Sequence, residues 1–242
     1  MRSVNVLECR DLSKKFSNTL ALDRVNLQIG RGKIIGLLGP NGSGKTTIIK
    51  LANGLIQPTT GEILIDGEKP GPYTKSVISY LPDKAYFADW MKVKDVIDLF
   101  ASFYEDFDRQ KAENMCDSMH IGLGDRIKSM SKGTKEKVQL LLAMSRRAQL
   151  YLLDEPIAGV DPAARDFILT TIINNYNEEG TVIISTHLIS DIERVLDEVI
   201  LIQNGRIVAH ESVDDIKEKS GKSVDEYFRE VFRMEGGMNY GW

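Results

Sequence analysis

Apolar and polar positions alternate in two stretches near the start of the chain. Val4 to Cys9 reads as an edge strand, and Leu22, Val25, Leu27 and Ile29 mark one face of a second strand before the turn at Gly30-Arg31-Gly32. Together they predict an antiparallel flap. Lys33 to Leu38 follows as a short buried strand, and the spacing from Thr46 to Leu51 is helical. Gly54 and Pro58-Thr59-Thr60-Gly61 mark a turn, Glu62 to Ile65 a strand, and Asp66-Gly67 a hairpin-type turn. Val77 to Leu81 is the next apolar strand, stopped by Pro82.

From Val93 to Met144 the period becomes helical (Val96, Leu99, Phe100, Phe103, then Val138, Leu141, Leu142), which predicts a helical insertion. Strand character returns at Leu150 to Leu153 and at Thr181 to Ser185, separated by a helix from Ala163 to Tyr176. These unbroken apolar runs read as parallel strands buried on both faces. Val199 to Ile202 and Gly205 to Val208 form a hairpin around Asn204-Gly205. The chain from Val213 onward is charged and helical, and residues 236–242 read as a loose tail.

Composition narrows the class. The 242 residues are 42% apolar, enough for one large α/β domain with a sizeable core. Net charge is −4 with no basic stripe, so nucleic acid is not an expected partner. No apolar run approaches the ~18 residues of a membrane span, and the first eight residues lack the apolar centre of a secretion signal, so a cytoplasmic location is expected. Cys9 and Cys116 lack metal-ligand spacing and read as packing residues, with no structural zinc expected.

Between the buried strand and the helix lies Gly39-Pro40-Asn41-Gly42-Ser43-Gly44-Lys45-Thr46-Thr47, the P-loop pattern of a nucleoside triphosphate site. Gly39, Gly42 and Gly44 admit backbone conformations that let successive N–H groups converge on phosphate oxygens, with Asn41 and Ser43 in the same cradle. The positive end of the following helix faces the same anion. Lys45 supplies a charge to the β- and γ-phosphates, Thr46 a hydroxyl for Mg²⁺, and Thr47 a contact to the α-phosphate. The predicted fold is therefore α/β: a P-loop NTPase core, RecA-like, with a mostly parallel sheet, an N-terminal antiparallel flap and an inserted helical subdomain.

Downstream, Asp154-Glu155 closes the strand that starts at Leu150. Asp154 is placed to hold Mg²⁺ through its water shell, and Glu155 to polarise the water that attacks the γ-phosphate. The same acidic pair also fits a cap for the next helix.

Several motifs occur in one order. Cys9-Arg10-Asp11-Leu12-Ser13-Lys14-Lys15-Phe16 precedes the P-loop; Met130-Ser131-Lys132-Gly133-Thr134 precedes the acidic strand; Gly159-Val160-Asp161-Pro162 and Ser185-Thr186-His187 follow it. In this the chain resembles the ATP-binding subunit of ABC (ATP-binding cassette) transporters, over nearly its whole length and with the flavour of bacterial export-type cassettes. The resemblance implies that Phe16 stacks on the adenine, with core packing as the plainer alternative. It implies that Ser131 and Gly133 reach the γ-phosphate held by the P-loop of an opposing subunit, and that Asp161 crosses the same interface. His187 would bond the γ-phosphate, the alternative being a strand-end histidine satisfied locally.

Two positions depart from the family pattern. Asp83 stands after Tyr80-Leu81-Pro82 where a glutamine is usual, and would take a metal-bound water; in the signature, Lys132 and Thr134 replace a glycine and a glutamine. The implied molecule is an ATP hydrolase using ATP and Mg²⁺. It would dimerise head to tail, as a homodimer or a heterodimer, on transmembrane permease subunits at the inner face of the membrane. Ala85 to Met91 supplies aromatics for a coupling socket, or for packing of the helical subdomain. The expected division is a nucleotide-binding core at 1–82 and 146–235, a helical subdomain at 83–145 and a tail. Alternatives are a nucleotide-gated regulatory subunit with little hydrolysis and an ABC protein outside transport.

Overall fold

The computed structural model describes residues 4–84 and 86–235, without the side chains of 234 and 235. The expected tail and Ala85 lie outside the described residues. Strand β1 (Leu7–Phe16) pairs antiparallel with β2 (Thr19–Ile29) on one side and β4 (Thr60–Ile65) on the other. The edge position expected for Val4 to Cys9 is thus corrected: this is the middle strand of a three-stranded sheet. Alternation reports which face is buried and is silent on whether both edges are paired.

The second sheet has six strands: β3 (Ile34–Leu38), β5 (Ile78–Leu81), β6 (Leu150–Asp154), β7 (Thr181–Thr186), β8 (Glu198–Gln203) and β9 (Arg206–Ser212). Their order is β5-β6-β7-β3-β8-β9, parallel except for β9, which returns antiparallel on β8. The architecture is the α/β P-loop NTPase arrangement expected. Unbroken apolar runs arise because successive side chains serve two cores. Ile35, Leu37, Leu152, Ile183 and Ile200 point toward the three-stranded sheet and helix α1 (Lys45–Ala52). Leu38, Tyr151, Leu153, Val182, Ile184 and Val199 point to the opposite layer of helices.

A six-residue helix, α2 (Pro72–Val77), precedes β5 and takes up Val77; it is too short to declare a period in the sequence. The helical stretch resolves into α3 (Val93–Phe103), α4 (Arg109–Ser118) and α5 (Lys132–Met144). Helices α6 (Pro162–Asn175), α7 (Ile189–Ile192), α8 (Val213–Ser220) and α9 (Val224–Glu235) complete that layer. Asn204 and Gly205 both adopt positive φ (48° and 76°), the conformation a tight two-residue hairpin demands. Arg146 is buried where the helical stretch rejoins the sheet. Its guanidinium bonds Asp106 at 2.8 Å, donates to the carbonyls of Ser76 and Ile78, and stacks 3.8 Å from the Tyr104 ring centre. Both cysteines pack inside, where burial pushes the Cys9 thiol up to about 12 and that of Cys116 to about 11.

Candidate functional site

The loop after β3 is forced into its course by close packing. A β-carbon on Gly39 would stand 2.3 Å from the Ile202 carbonyl oxygen on β8, so only glycine lets the two backbones pass. Gly42 and Gly44 adopt φ of +79° and +116°; the space beside Gly42 is open, whereas Gly44 abuts Leu22 and the Ala21 carbonyl. Lys45 opens α1 and is only 5% exposed. Its ammonium donates to the carbonyls of Gly39 (2.8 Å) and Pro40 (3.2 Å), which folds the loop around the charge. The Ser43 hydroxyl is buried beside it without a hydrogen-bond partner among the described residues.

The acidic pair comes from β6. Asp154 is fully buried; its Oδ1 accepts from Thr46 Oγ1 at 3.0 Å and from Ser185 Oγ at 2.6 Å. Its Oδ2 has no hydrogen-bond partner among the described residues. Burial pushes this carboxyl above its ordinary value against the pull of those two bonds, with Asp83 and Glu155 adding repulsion. Glu155, one residue on, leaves the strand with φ of 51°, held by its N–H donating to Ser185 O and Oγ. That turn swings its side chain to the loop: Oε1 lies 3.4 Å from Lys45 Nζ, and Oε2 lies 3.1 Å from His187 Nδ1. His187 follows directly on β7, so the C-terminal ends of β3, β6 and β7 deliver Lys45, Glu155 and His187 to one point.

These groups line a cleft of about 540 Å³, together with Asn41, Ser43, Thr47 and Asp83. Asp83 follows β5 at the cleft wall, and the Tyr80 phenol nearby is held above its ordinary value by burial and then by the charges of Asp154 and Asp83. An unpartnered buried carboxylate oxygen next to a threonine hydroxyl fits a divalent cation. Among the described residues no group of three or more His, Cys, Asp or Glu could hold a metal alone. A cation here would complete its shell from phosphate oxygens and water, as Mg²⁺ commonly does.

Other sequence candidates lie elsewhere. Phe16, at the end of β1, is 44% exposed rather than packed in the core, and Lys14 Nζ sits 4.9 Å from its ring centre. Ser131 caps α5, its Oγ accepting from Thr134 N at 3.1 Å, and Gly133 is exposed in the first turn; neither is among the residues that line this chain's cleft. The α5 face that does line it carries Lys132, Glu136, Gln139 and Leu140. Lys132 pairs loosely with Glu136 at 3.7 Å and stands beside Gly159. Asp161 caps α6 by accepting from Ala164 N at 3.1 Å. Of the aromatics after β5, Tyr86 and Trp90 are exposed, whereas Phe87 packs against the helical core.

Sequence reasoning missed Ser185 as an Asp154 partner and Gln139 as a cleft residue. Only strand register brings Ser185 opposite Asp154. Gln139 did leave a signal, an amide at the head of the apolar run from Leu140 to Met144.

Comparison with known proteins identifies the family. The family model described as ABC transporter matches residues 22–158. The ABC transporter ATP-binding protein YtrB of Bacillus subtilis is 33% identical over 88% of this chain and 74% of its own length. The SkfA peptide export ATP-binding protein SkfE, from the same organism, is 28% identical over 96% of this chain and 98% of its own. A solved structure described as the ATP-binding subunit of an ABC transporter superposes with a TM-score of 0.83 at 28% identity, over 94% of this chain and 99% of that one. A P-loop whose lysine meets the acidic strand end and the histidine of the next strand, on a chain matched along most of its length, makes this protein a member of the ABC transporter family, among its ATP-binding subunits.

Proposed function

We propose that this chain binds Mg-ATP and hydrolyses it, as the motor subunit of a transporter whose membrane-spanning subunits are separate chains, and that transport runs outward. The observation that carries the hydrolytic reading is the Glu155 carboxylate, poised between Lys45 and His187 at the C-terminal edge of the sheet. There it accepts a proton from water as the water oxygen bonds the γ-phosphorus; the bond to the bridging oxygen breaks, and its electron pair leaves with ADP. Lys45 compensates charge on the β- and γ-phosphates, the P-loop N–H groups hold them, and His187 offers its second ring nitrogen to the γ-phosphate. Thr46 and Asp154 would hold Mg²⁺, with Asp83 acting through a water, and the ion would neutralise phosphate charge. Phe16 stacks on the base from the rim.

Ser131 and Gly133 do not line the cleft of their own chain, so they serve the cleft of a second cassette, identical or paralogous, with Asp161 crossing alongside. Gly133 supports this reading: a β-carbon there meets nothing within 4 Å among the described residues, which make no demand for glycine in this helix. The exposure of Tyr86 and Trp90 supports a socket for the permease, and with it a position at the inner face of the membrane. No helix among the described residues is long and apolar enough to cross it. The likeness to a peptide-export subunit supports the outward direction. We divide the chain into a nucleotide-binding core (1–82 and 146–235) and a helical subdomain (83–145), with buried Arg146 at the joint.

The test is ATP hydrolysis by the wild-type chain and by Glu155→Gln, with light scattering on the variant with and without Mg-ATP. We expect a loss of about 100-fold or more in kcat with nucleotide still bound, and a monomer that dimerises with Mg-ATP. Wild-type hydrolysis at background with ATP bound would replace this reading by a nucleotide-gated regulatory subunit.

A further inference from the structure

The C-terminal half of helix α5 is buried all round: Val138, Leu140, Leu141, Leu142, Ala143 and Met144 are all buried. Gln139 is the polar residue in that buried run. It is only 4% exposed, two turns beyond the Ser131 cap. Burying an amide among leucines costs stability unless its polar atoms are bonded, and an apolar side chain of the same length would fill the position without that cost. The amide has a definite use. Its Nε2 donates to the carbonyl oxygen of Lys84 at 3.2 Å, and the side chain lines the cleft alongside Asp83, the residue before Lys84.

The far end of the same loop is tied to the helical stretch by other bonds. Lys135, also on α5, approaches Asp89 at 3.4 Å; Lys128 N–H donates to the Asp89 carbonyl and Ile127 N–H to that of Met91. At the cleft end of the loop the Gln139 amide supplies a restraint. The helix bearing it carries Ser131 and Gly133 in its first turn, while the loop carries the Asp83 carboxylate, which lines the cleft and lies close enough to Asp154 for its charge to act there.

We infer that Gln139 is a positioning residue that yokes α5 to the Asp83 loop, so that the placement of α5 sets the position of the Asp83 carboxylate in the cleft. Engagement of the first turn of α5 by a second cassette then reaches the cleft of the same chain through one side-chain hydrogen bond. The inference rests on the hydrolytic reading above only in its catalytic consequence; the tether belongs to the free protein.

The experiment uses Gln139→Met, which keeps the length and shape of the side chain and removes the donor. Trypsin cleaves after Lys84, whose carbonyl is the tethered group. Cleavage of nucleotide-free protein at the Lys84–Ala85 bond is expected to be about tenfold faster in the variant, with cleavage elsewhere unchanged. Equal rates at that bond overturn the tether. The second readout is a double-mutant cycle with Asp83→Asn: Gln139→Met lowers kcat about fivefold, with KM within twofold, when Asp83 is present, and less than twofold when it is replaced. The same loss in both backgrounds overturns action through Asp83. A wild-type chain without ATPase activity, but with the tenfold difference in cleavage, would sink the hydrolytic reading and bear out the tether.

Discussion

Two glycines, each in the first turn of a helix or at its cap, show how differently the two halves of the candidate site are built. Gly44 caps α1 with φ of +116° and is closed in: a β-carbon would stand 2.8 Å from Leu22 Cδ2 and 2.9 Å from the Ala21 carbonyl oxygen. Gly133, one residue into α5, is exposed and has nothing near it. The P-loop end is complete within one chain, with its lysine bonded to loop carbonyls and its acidic pair held by neighbouring strands. The α5 end offers an exposed serine, whose hydroxyl bonds Thr134 in its own helix turn, and an exposed glycine. A residue kept small where the fold makes no demand points to a demand from outside the chain.

The comparison breaks most easily at those two positions. Gly44→Ala combines a forced left-handed backbone with a clash against main chain, and should lower stability by about 3 kcal/mol, read by urea titration. Gly133→Ala should do the reverse, adding up to about 1 kcal/mol through helix propensity, while Mg-ATP-driven dimerisation in the Glu155→Gln background weakens at least about tenfold. A Gly133→Ala protein that dimerises as before would dissolve the contrast.

The next effect concerns the buried carboxylate. Burial holds the Asp154 carboxyl above its ordinary value, so the folded protein binds this proton more tightly than the unfolded chain does. The cost of the group to stability is therefore absent below the unfolded value of about 3.9 and grows as pH rises through the folded value. Asp154→Asn keeps an oxygen for the Thr46 and Ser185 hydroxyls, and without Mg²⁺ should raise the thermal midpoint at pH 7 by about 2 °C or more, a gap that closes near pH 4. An unchanged midpoint at pH 7 would show that Asp154 is well solvated in the free protein.

The smallest effect belongs to the rim. Phe16 stands 44% exposed at the end of β1. Phe16→Ala should raise the KM for ATP about three- to tenfold, with kcat within twofold, because stacking on the base is lost equally from ground and transition states. GTP should suffer alike; a large fall in kcat would instead place Phe16 nearer the chemistry than its position at the rim.

Much of this molecule was legible before folding, for reasons that are local. The P-loop reads directly because Gly42 and Gly44 are needed where φ is positive, and the Asn204-Gly205 hairpin for the same reason. The double-sided burial of β3, β6, β7 and β8 reads from their unbroken apolar runs, because alternate residues must fill two cores. Such features depend on residues a few positions apart, and the chain carries them wherever it goes. Strand neighbours are another matter. Nothing in the run from Val4 to Cys9 tells that β1 is paired on both edges, nor in Ile34 to Leu38 that β3 lies between β7 and β8. Those choices come from packing between segments far apart in sequence. They alone set Ser185 against Asp154, bring Lys45, Glu155 and His187 to one point, and lay the Gln139 amide on the carbonyl of Lys84.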